Sequence, residues 1–231
     1  MTREREHPGS ARRRFWIEAR LALSPPVWLI PLALVVMAAM HTGLGGGPAV
    51  WARHWAENCE AFFPIAFGLA SAPLLLVEQE EGQLEVTGAY PMARVARTRL
   101  LAVVGSGWGV VLAGLVLLRL VFGPVPFWTG VLAALGPGLF LGGLACWTAV
   151  ASGRVTLGYL LAVGVPVMDL MLRLLGGFTL VWPLQFVNVF AWRWPLATPP
   201  WWVVKVVMAV VGLWLYGRAS GYWRAYAVRQ L

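Results

Sequence analysis

The sequence predicts an all-α integral membrane protein with six transmembrane helices, and three observations lead to this fold class. The 231 residues are 59% hydrophobic and only 12% charged, with a mean hydropathy of +0.71. A soluble domain contains about 25% charged residues, so this chain cannot cover a water-facing surface. The apolar residues gather in long runs, and the 14 Trp and 26 Gly are typical of membrane helices and their interfaces.

The first element is a basic, aromatic segment at residues 10–22, in which consecutive arginines precede Phe15 and Trp16. The pattern is typical of an amphipathic helix lying at the membrane interface. A positively charged flank of the first span fits the same residues. We predict that span at 24–40 and expect it to be retained, since no small-residue cleavage site follows it.

The other spans are bounded by polar residues, glycine and proline. A bilayer core of about 30 Å needs about 20 apolar residues per helix. The Gly-rich, then polar link 41–60 is predicted to be a short outer loop, and Ser152-Gly153-Arg154 a tight turn. The remaining predicted spans are 61–77, 100–122, 127–151, 155–172 and 201–217.

The outer aromatic segment at 173–200 is too rich in Gly and Pro for one helix. It is also too apolar for a free loop, so we predict short re-entrant or interfacial helices before the sixth span. Its aromatic side chains fit either a lipidic or amphipathic cargo or an aromatic belt at the outer interface.

The distribution of basic residues predicts the orientation. With the amino terminus in the cytoplasm, the inner segments hold most of the 18 Lys and Arg residues, as the positive-inside rule requires. Six spans return the basic carboxyl terminus to the cytoplasm, and we expect a plasma-membrane location. The net charge of +8 follows from residues flanking apolar runs, so we expect the lipid bilayer and not nucleic acid as the partner. The outer side holds Arg53, Arg119, Arg173, Arg193 and Lys205.

The cytoplasmic segment 78–94 contains the dense acidic cluster of the chain. Glu81 and Glu85 are four residues apart and share a helical face, and Pro91 ends the helix. Acidic residues contribute little to topology, so a basic or helix-ended surface on a partner protein is a physical explanation for them.

The segment has the spacing Glu78-x-Glu80-x-Gly82-x-Leu84-Glu85, followed by Tyr90, Pro91 and Arg94. This pattern resembles that of the ABC type-2 transporter permeases. In that family a similar pattern leads into the coupling helix between the second and third membrane helices. The resemblance implies that the segment contacts an ATPase subunit. Gln83 replaces the usual Thr or Ser, and Thr87 and Gly88 replace aliphatic residues. The residues assigned to the contact are Glu78, Glu80, Glu81, Gly82, Leu84, Glu85, Tyr90, Pro91 and Arg94.

The resemblance implies a permease subunit of an ATP-driven exporter, working with a second copy or a related permease. The chain has no glycine-rich phosphate loop followed by Lys and Ser or Thr. ATP and Mg²⁺ are therefore expected on the separate ATPase subunit, and no cofactor, metal or catalytic residue in this chain. The alternative is a membrane-embedded enzyme or a scaffold protein without transport activity.

Charged residues at membrane depth are costly and are usually paired or functional. Asp169 and Arg173 are four residues apart, so they fit an internal ion pair, or alternatively a substrate path or proton relay. Arg119 and Lys205 are expected to snorkel to the outer interface. In the outer link, His54 with Glu57 and Glu60 fits a solvated loop better than a metal site.

Overall fold

The structure is a computed structural model that describes residues 28–42, 48–76, 92–122, 127–174 and 199–230. These residues form α-helices joined by short turns, with no β-strand among them. The helices are α1 (Leu29–Thr42), α2 (Pro48–Ser71), α3 (Met92–Phe122), α4 (Phe127–Ser152), α5 (Val155–Leu174) and α6 (Pro199–Gln230).

Three stretches are long and apolar enough to cross a membrane: Val95–Leu117 in α3, Phe127–Ser152 in α4 and Trp201–Tyr222 in α6. Shorter apolar stretches occur at Phe62–Ser71 in α2 and Val155–Asp169 in α5. The all-helical prediction is therefore confirmed for the described residues. Among the described residues, length and composition establish three candidate spans, and the six-span topology stays a prediction.

The predicted outer loop at 41–60 is wrong over residues 41–42 and 48–60, because α1 continues to Thr42 and α2 begins at Pro48. Proline is favoured in the first turn of a helix, where its missing N–H costs nothing. No further proline or glycine interrupts the chain until Pro64. The polar residues that indicated a loop therefore lie on a helix.

The predicted span 61–77 also ends earlier than expected. α2 stops at Ser71 and residues 72–76 form turns, in which Leu74 N donates to Ser71 O at 3.3 Å and Leu76 N to Pro73 O at 2.9 Å. Pro73 has no N–H to continue the helical ladder. The turn residues remain buried, which explains why their apolar character resembled a span.

The remaining boundaries agree more closely. α4 and α5 match the predicted 127–151 and 155–172 to within two residues, whereas α3 begins before 100 and α6 continues beyond 217. Gly153 joins α4 to α5 with a φ of 66°, a left-handed conformation that glycine adopts without steric cost. Segments 10–22, 78–91 and 175–198 lie outside the described residues.

α4 is the central helix of the bundle, packed against α2, α3, α5 and α6. Within an apolar 18-residue stretch of its candidate span 78% of residues are buried, against 28% in the corresponding stretch of α3 and 39% in that of α6. Small residues allow the close approach: a Cβ added at Gly143 would collide with the Gly212 carbonyl of α6. Such small-residue contacts between helix backbones are typical of membrane bundles.

α2 and α6 run in the same direction. Glu60 of α2 contacts Lys205 of α6, and further along both helices Ser71 contacts Tyr216. Because the later residue of α2 contacts the later residue of α6, the two helices are parallel.

α4 has the same direction as α6, because its Gly136 lies against the Lys205 backbone and its Gly142 lies beside the Tyr216 side chain. α5 runs the opposite way, as expected after the tight turn at Gly153. Its Gly158 lies close to Ala149 near the end of α4.

α3 is also antiparallel to α6. Gly107 of α3 lies beside Phe67 of α2, one turn before Ser71. Arg97, two to three turns earlier in α3, shares a groove with Tyr216. The end of α2, the start of α3, the α4–α5 turn and the last third of α6 therefore meet at one end of the bundle, the Tyr216 end. The opposite end, which contains Glu60, Trp201 and Lys205, is the Lys205 end.

Candidate functional site: a buried charge cluster

A buried ion pair joins α2 to α6 at the Lys205 end. Lys205 Nζ lies 2.9 Å from Glu60 Oε1, and the two side chains are 0% and 3% exposed. Trp201 Nε1 donates a hydrogen bond to the same carboxylate oxygen at 3.1 Å. The carboxylate thus receives donors from two successive turns of α6.

The aromatic ring of Trp201 adds a second contact to the lysine. Lys205 Nζ lies 5.8 Å from the ring centroid, within the distance at which a cation is attracted to an indole face. Trp201 is itself fully buried and meets the ring of Trp202 edge-on at 5.5 Å. The ammonium group is therefore enclosed between a carboxylate and an aromatic wall.

Close packing of α4 explains why this lysine is buried. Gly136 brings the α4 backbone against the Lys205 carbonyl, and a Cβ at that glycine would lie only 2.5 Å from the oxygen. Any larger residue would push the helices apart and admit solvent or lipid. The burial of the charge depends on a glycine in a third helix.

Asp169 is a further buried charge, with 8% exposure, in the second half of α5. Ala162 of α5 lies level with Gly68 of α2. A helix rises 1.5 Å per residue, so Asp169 lies about 10 Å further toward the Lys205 end. Asp169 has an interaction partner. Arg173 lies in the last turn of α5, and its pairing with Asp169 stays a prediction.

The structure corrects two expectations about charged residues. Lys205 does not snorkel to an interface but is fully buried against Glu60. Glu60 lies in a helix and not in a solvated loop. Within the described ranges no group of three His, Cys, Asp or Glu side chains could hold a metal ion.

Sequence reasoning missed this ion pair, although a signal was present. Glu60 and Lys205 are opposite charges, each adjoining an apolar run, and an unpaired charge at that depth is costly. Pairing them required the relative direction of α2 and α6, which depends on tertiary contacts. Arg119, by contrast, is exposed in the last turn of α3, as a snorkelling residue would be.

A second buried polar contact joins α2 to α6 at the Tyr216 end. The Ser71 and Tyr216 hydroxyl groups lie 2.6 Å apart, and both residues are buried. The carboxyl end of α2 is thereby fixed to α6 immediately before the turn that leads into the acidic segment.

The predicted contact residues from Glu78 to Pro91 lie outside the described residues. Arg94 lies in the first turn of α3. The structure therefore describes both flanks of the acidic segment, at Ser71 and at the start of α3, and both are at the Tyr216 end.

Comparison of the chain with models of protein families, with curated proteins and with solved structures finds no match. The class defined by the described residues is an all-helical protein with three helices long and apolar enough to cross a membrane.

Proposed function

We propose that this chain is the permease subunit of an ATP-driven exporter in the plasma membrane. It has six spans and cytoplasmic termini, and it pairs with a second copy or a related permease. A separate ATPase subunit binds ATP and Mg²⁺ and contacts the acidic segment 78–94. Segments 10–22 and 175–198 supply the interfacial helix and the short helices before the last span.

One observation supports this proposal most strongly: the described residues before and after the acidic segment lie at the Tyr216 end of the bundle. Its preceding helix is fixed there by the Ser71–Tyr216 hydrogen bond, and its following helix lines a groove with Tyr216. A segment anchored in this way can transmit a push from a partner to α2, α3 and α6 together.

The alternating helix directions add support. α2, α4 and α6 run one way, and α3 and α5 run the other, which is the arrangement that successive membrane crossings require. The basic residues Arg154 and Arg218 belong to the Tyr216 end, so the positive-inside rule favours the cytoplasm for that end.

The proposed mechanism requires that the ATPase subunits contact the permease differently in its two conformations. A conformational change is explained only when the driving partner interacts differently with the two states. ATP-driven closure of two ATPase subunits would press on the acidic segments and move the flanking helices. At the opposite end the buried Glu60–Lys205 pair holds α2 to α6, so these helices would tilt as a unit and not separate.

The test is purification from the native host. The chain expressed alone should hydrolyse no ATP, whereas the chain isolated with its bound partners should hydrolyse ATP in a cargo-dependent way. Robust hydrolysis by the isolated chain, or native complexes without any ATPase, would contradict the proposal and favour a membrane enzyme or a scaffold.

A further inference from the structure

A partly open groove of about 490 Å³ lies between α3 and α6 at the Tyr216 end. Its walls are mainly aliphatic, and its polar groups are one guanidinium and two hydroxyl groups. None of the described residues that line it is acidic. They are Arg97, Leu100, Leu101, Val104, Leu213, Tyr216, Gly217 and Ser220.

The groove begins at the edge of two candidate membrane spans and extends inward. Arg97 lies in the first turn of the span Val95–Leu117, and Ser220 lies in the last turn of Trp201–Tyr222. Because the helices are antiparallel, these two residues mark the outer rim, while Val104 and Leu213 mark the deep end. At 1.5 Å per residue, the walls extend about 10 Å along the helix axis.

The chemistry of the groove changes along this depth. The rim has an exposed cationic side chain, Arg97, and the deep end is lined by aliphatic side chains. Arginine matches phosphate groups with its fork of N–H donors. A ligand with an anionic head and an apolar tail, oriented as in the surrounding bilayer, complements both parts.

We propose that this groove binds one anionic phospholipid, with the phosphate at Arg97 and an acyl chain along Leu101, Val104 and Leu213. The inference depends on the membrane location and not on the transport proposal. A polar peptide would make no apolar contacts with the aliphatic walls. A zwitterionic lipid has no net negative charge to balance the charge of Arg97.

Arg218 provides a matched control. It is exposed and lies on α6 at the same end of the bundle, but it does not line the groove. Its guanidinium carbon lies 5.7 Å from the ring centroids of both Trp214 and Tyr222. Removing either arginine changes the net charge equally, so only a site in the groove distinguishes the two variants.

The experiment uses the full chain in a neutral detergent with dioleoyl phosphatidylglycerol or dioleoyl phosphatidylcholine, and it measures retained lipid by native mass spectrometry. A basic residue near an anionic lipid surface contributes about 1 kcal/mol, or about fivefold in affinity. We expect about fivefold preference for phosphatidylglycerol in the wild type and in Arg218→Gln, and none in Arg97→Gln.

A second pair of variants tests the apolar part of the groove. Gly217 lines it, and a Cβ added there meets no atom within 4 Å, so Gly217→Leu can occupy the groove without disturbing the fold. Gly221 has equal space one turn later but does not line the groove. We expect Gly217→Leu to retain less of both lipids and Gly221→Leu to behave as the wild type.

Three results would overturn the proposal. Equal retention of the two lipids by the wild type would show that the charge of Arg97 does not select the anionic lipid. Equal loss of preference in Arg97→Gln and Arg218→Gln would indicate delocalised surface charge. Complete displacement of the lipid by soluble glycerol phosphate would show that the groove binds the headgroup alone and that the aliphatic side chains do not contribute.

Discussion

Breaking the buried Glu60–Lys205 pair from one side should destabilise the protein much more than removing both charges. Glu60→Gln keeps an acceptor for Trp201 Nε1 but leaves the ammonium without its carboxylate, and Lys205→Met leaves the carboxylate without its ammonium. Both side chains are almost fully buried and 2.9 Å apart. Removing one member of such a pair costs about 3–5 kcal/mol.

The double variant Glu60→Gln, Lys205→Met should recover most of this loss. Gln still accepts from Trp201, and Met fills the space of the lysine stem without a charge. Replacing a buried ion pair with well-packed neutral residues is often neutral or stabilising. We therefore expect the double variant to lie within about 1–2 kcal/mol of the wild type, far from the sum of the two single losses, as expected for two residues in contact.

The assay is reversible unfolding in mixed micelles, followed by tryptophan fluorescence and circular dichroism. The four proteins of the cycle are compared at one pH and one detergent composition. If the losses of the single variants simply add in the double variant, the pair does not act as a unit. Glu60 and Lys205 would then contribute independently, and the buried ion pair would not explain the stability of the Lys205 end.

Three further predictions concern the packing, the Tyr216 end and the topology. Gly143→Val should lower the free energy of unfolding by about 1–3 kcal/mol, because the added side chain collides with the α6 backbone. Ser71→Ala should cost about 1–3 kcal/mol by leaving the buried Tyr216 hydroxyl without this partner, and the addition of Tyr216→Phe should recover part of it. Cysteines introduced at Gly46 and Gln83 should react with impermeant reagents from opposite sides of the membrane, with Gly46 outside.

Each of these predictions has a control in the chain. A Cβ at Gly109 meets no atom within 4 Å, so Gly109→Val should cost less than Gly143→Val, and equal costs would contradict the packing argument. Fully additive losses in the Ser71 and Tyr216 variants would contradict the second prediction. The native thiols Cys59 and Cys146 are buried, which gives a low labelling background. Labelling of both introduced cysteines from outside would contradict the predicted topology.

Composition and apolar runs were sufficient to predict the helical character of the described residues and the ends of α4 and α5. Gly153 and its neighbours form the tight turn that their residue types indicate. The start of α2 was missed because charged residues between 53 and 60 suggested solvent. Helix formation there depends on Pro48 at the first turn and on the absence of glycine until Gly68.

The buried cluster could not be predicted because it depends on which helices touch. Lys205 alone has the features of a snorkelling residue, since it is near the start of an apolar run. Its burial requires α2 beside α6 and the close approach of α4 at Gly136. Neither contact has a signature in local sequence. The acidic segment has a clear sequence pattern, whereas its proposed partner contact involves surfaces that this chain does not contain.

Charge reversal in the acidic segment tests the proposed function most directly. Glu80→Lys with Glu85→Lys should insert normally, since acidic residues contribute little to topology. Exposed ion pairs contribute only about 0.2–1 kcal/mol each, so reversal, which adds repulsion, is a sharper test than neutralisation.

The measurement is the yield of the complex with the native ATPase subunit together with its cargo-stimulated ATP hydrolysis. The control variant, Gln79→Lys with Gln83→Lys, adds positive charge to the same segment and keeps all its carboxylates. We expect the Glu variant to lose partner association or coupled hydrolysis by a larger factor than the Gln variant. Normal yield and normal stimulated hydrolysis in the Glu variant would contradict the coupling role of segment 78–94.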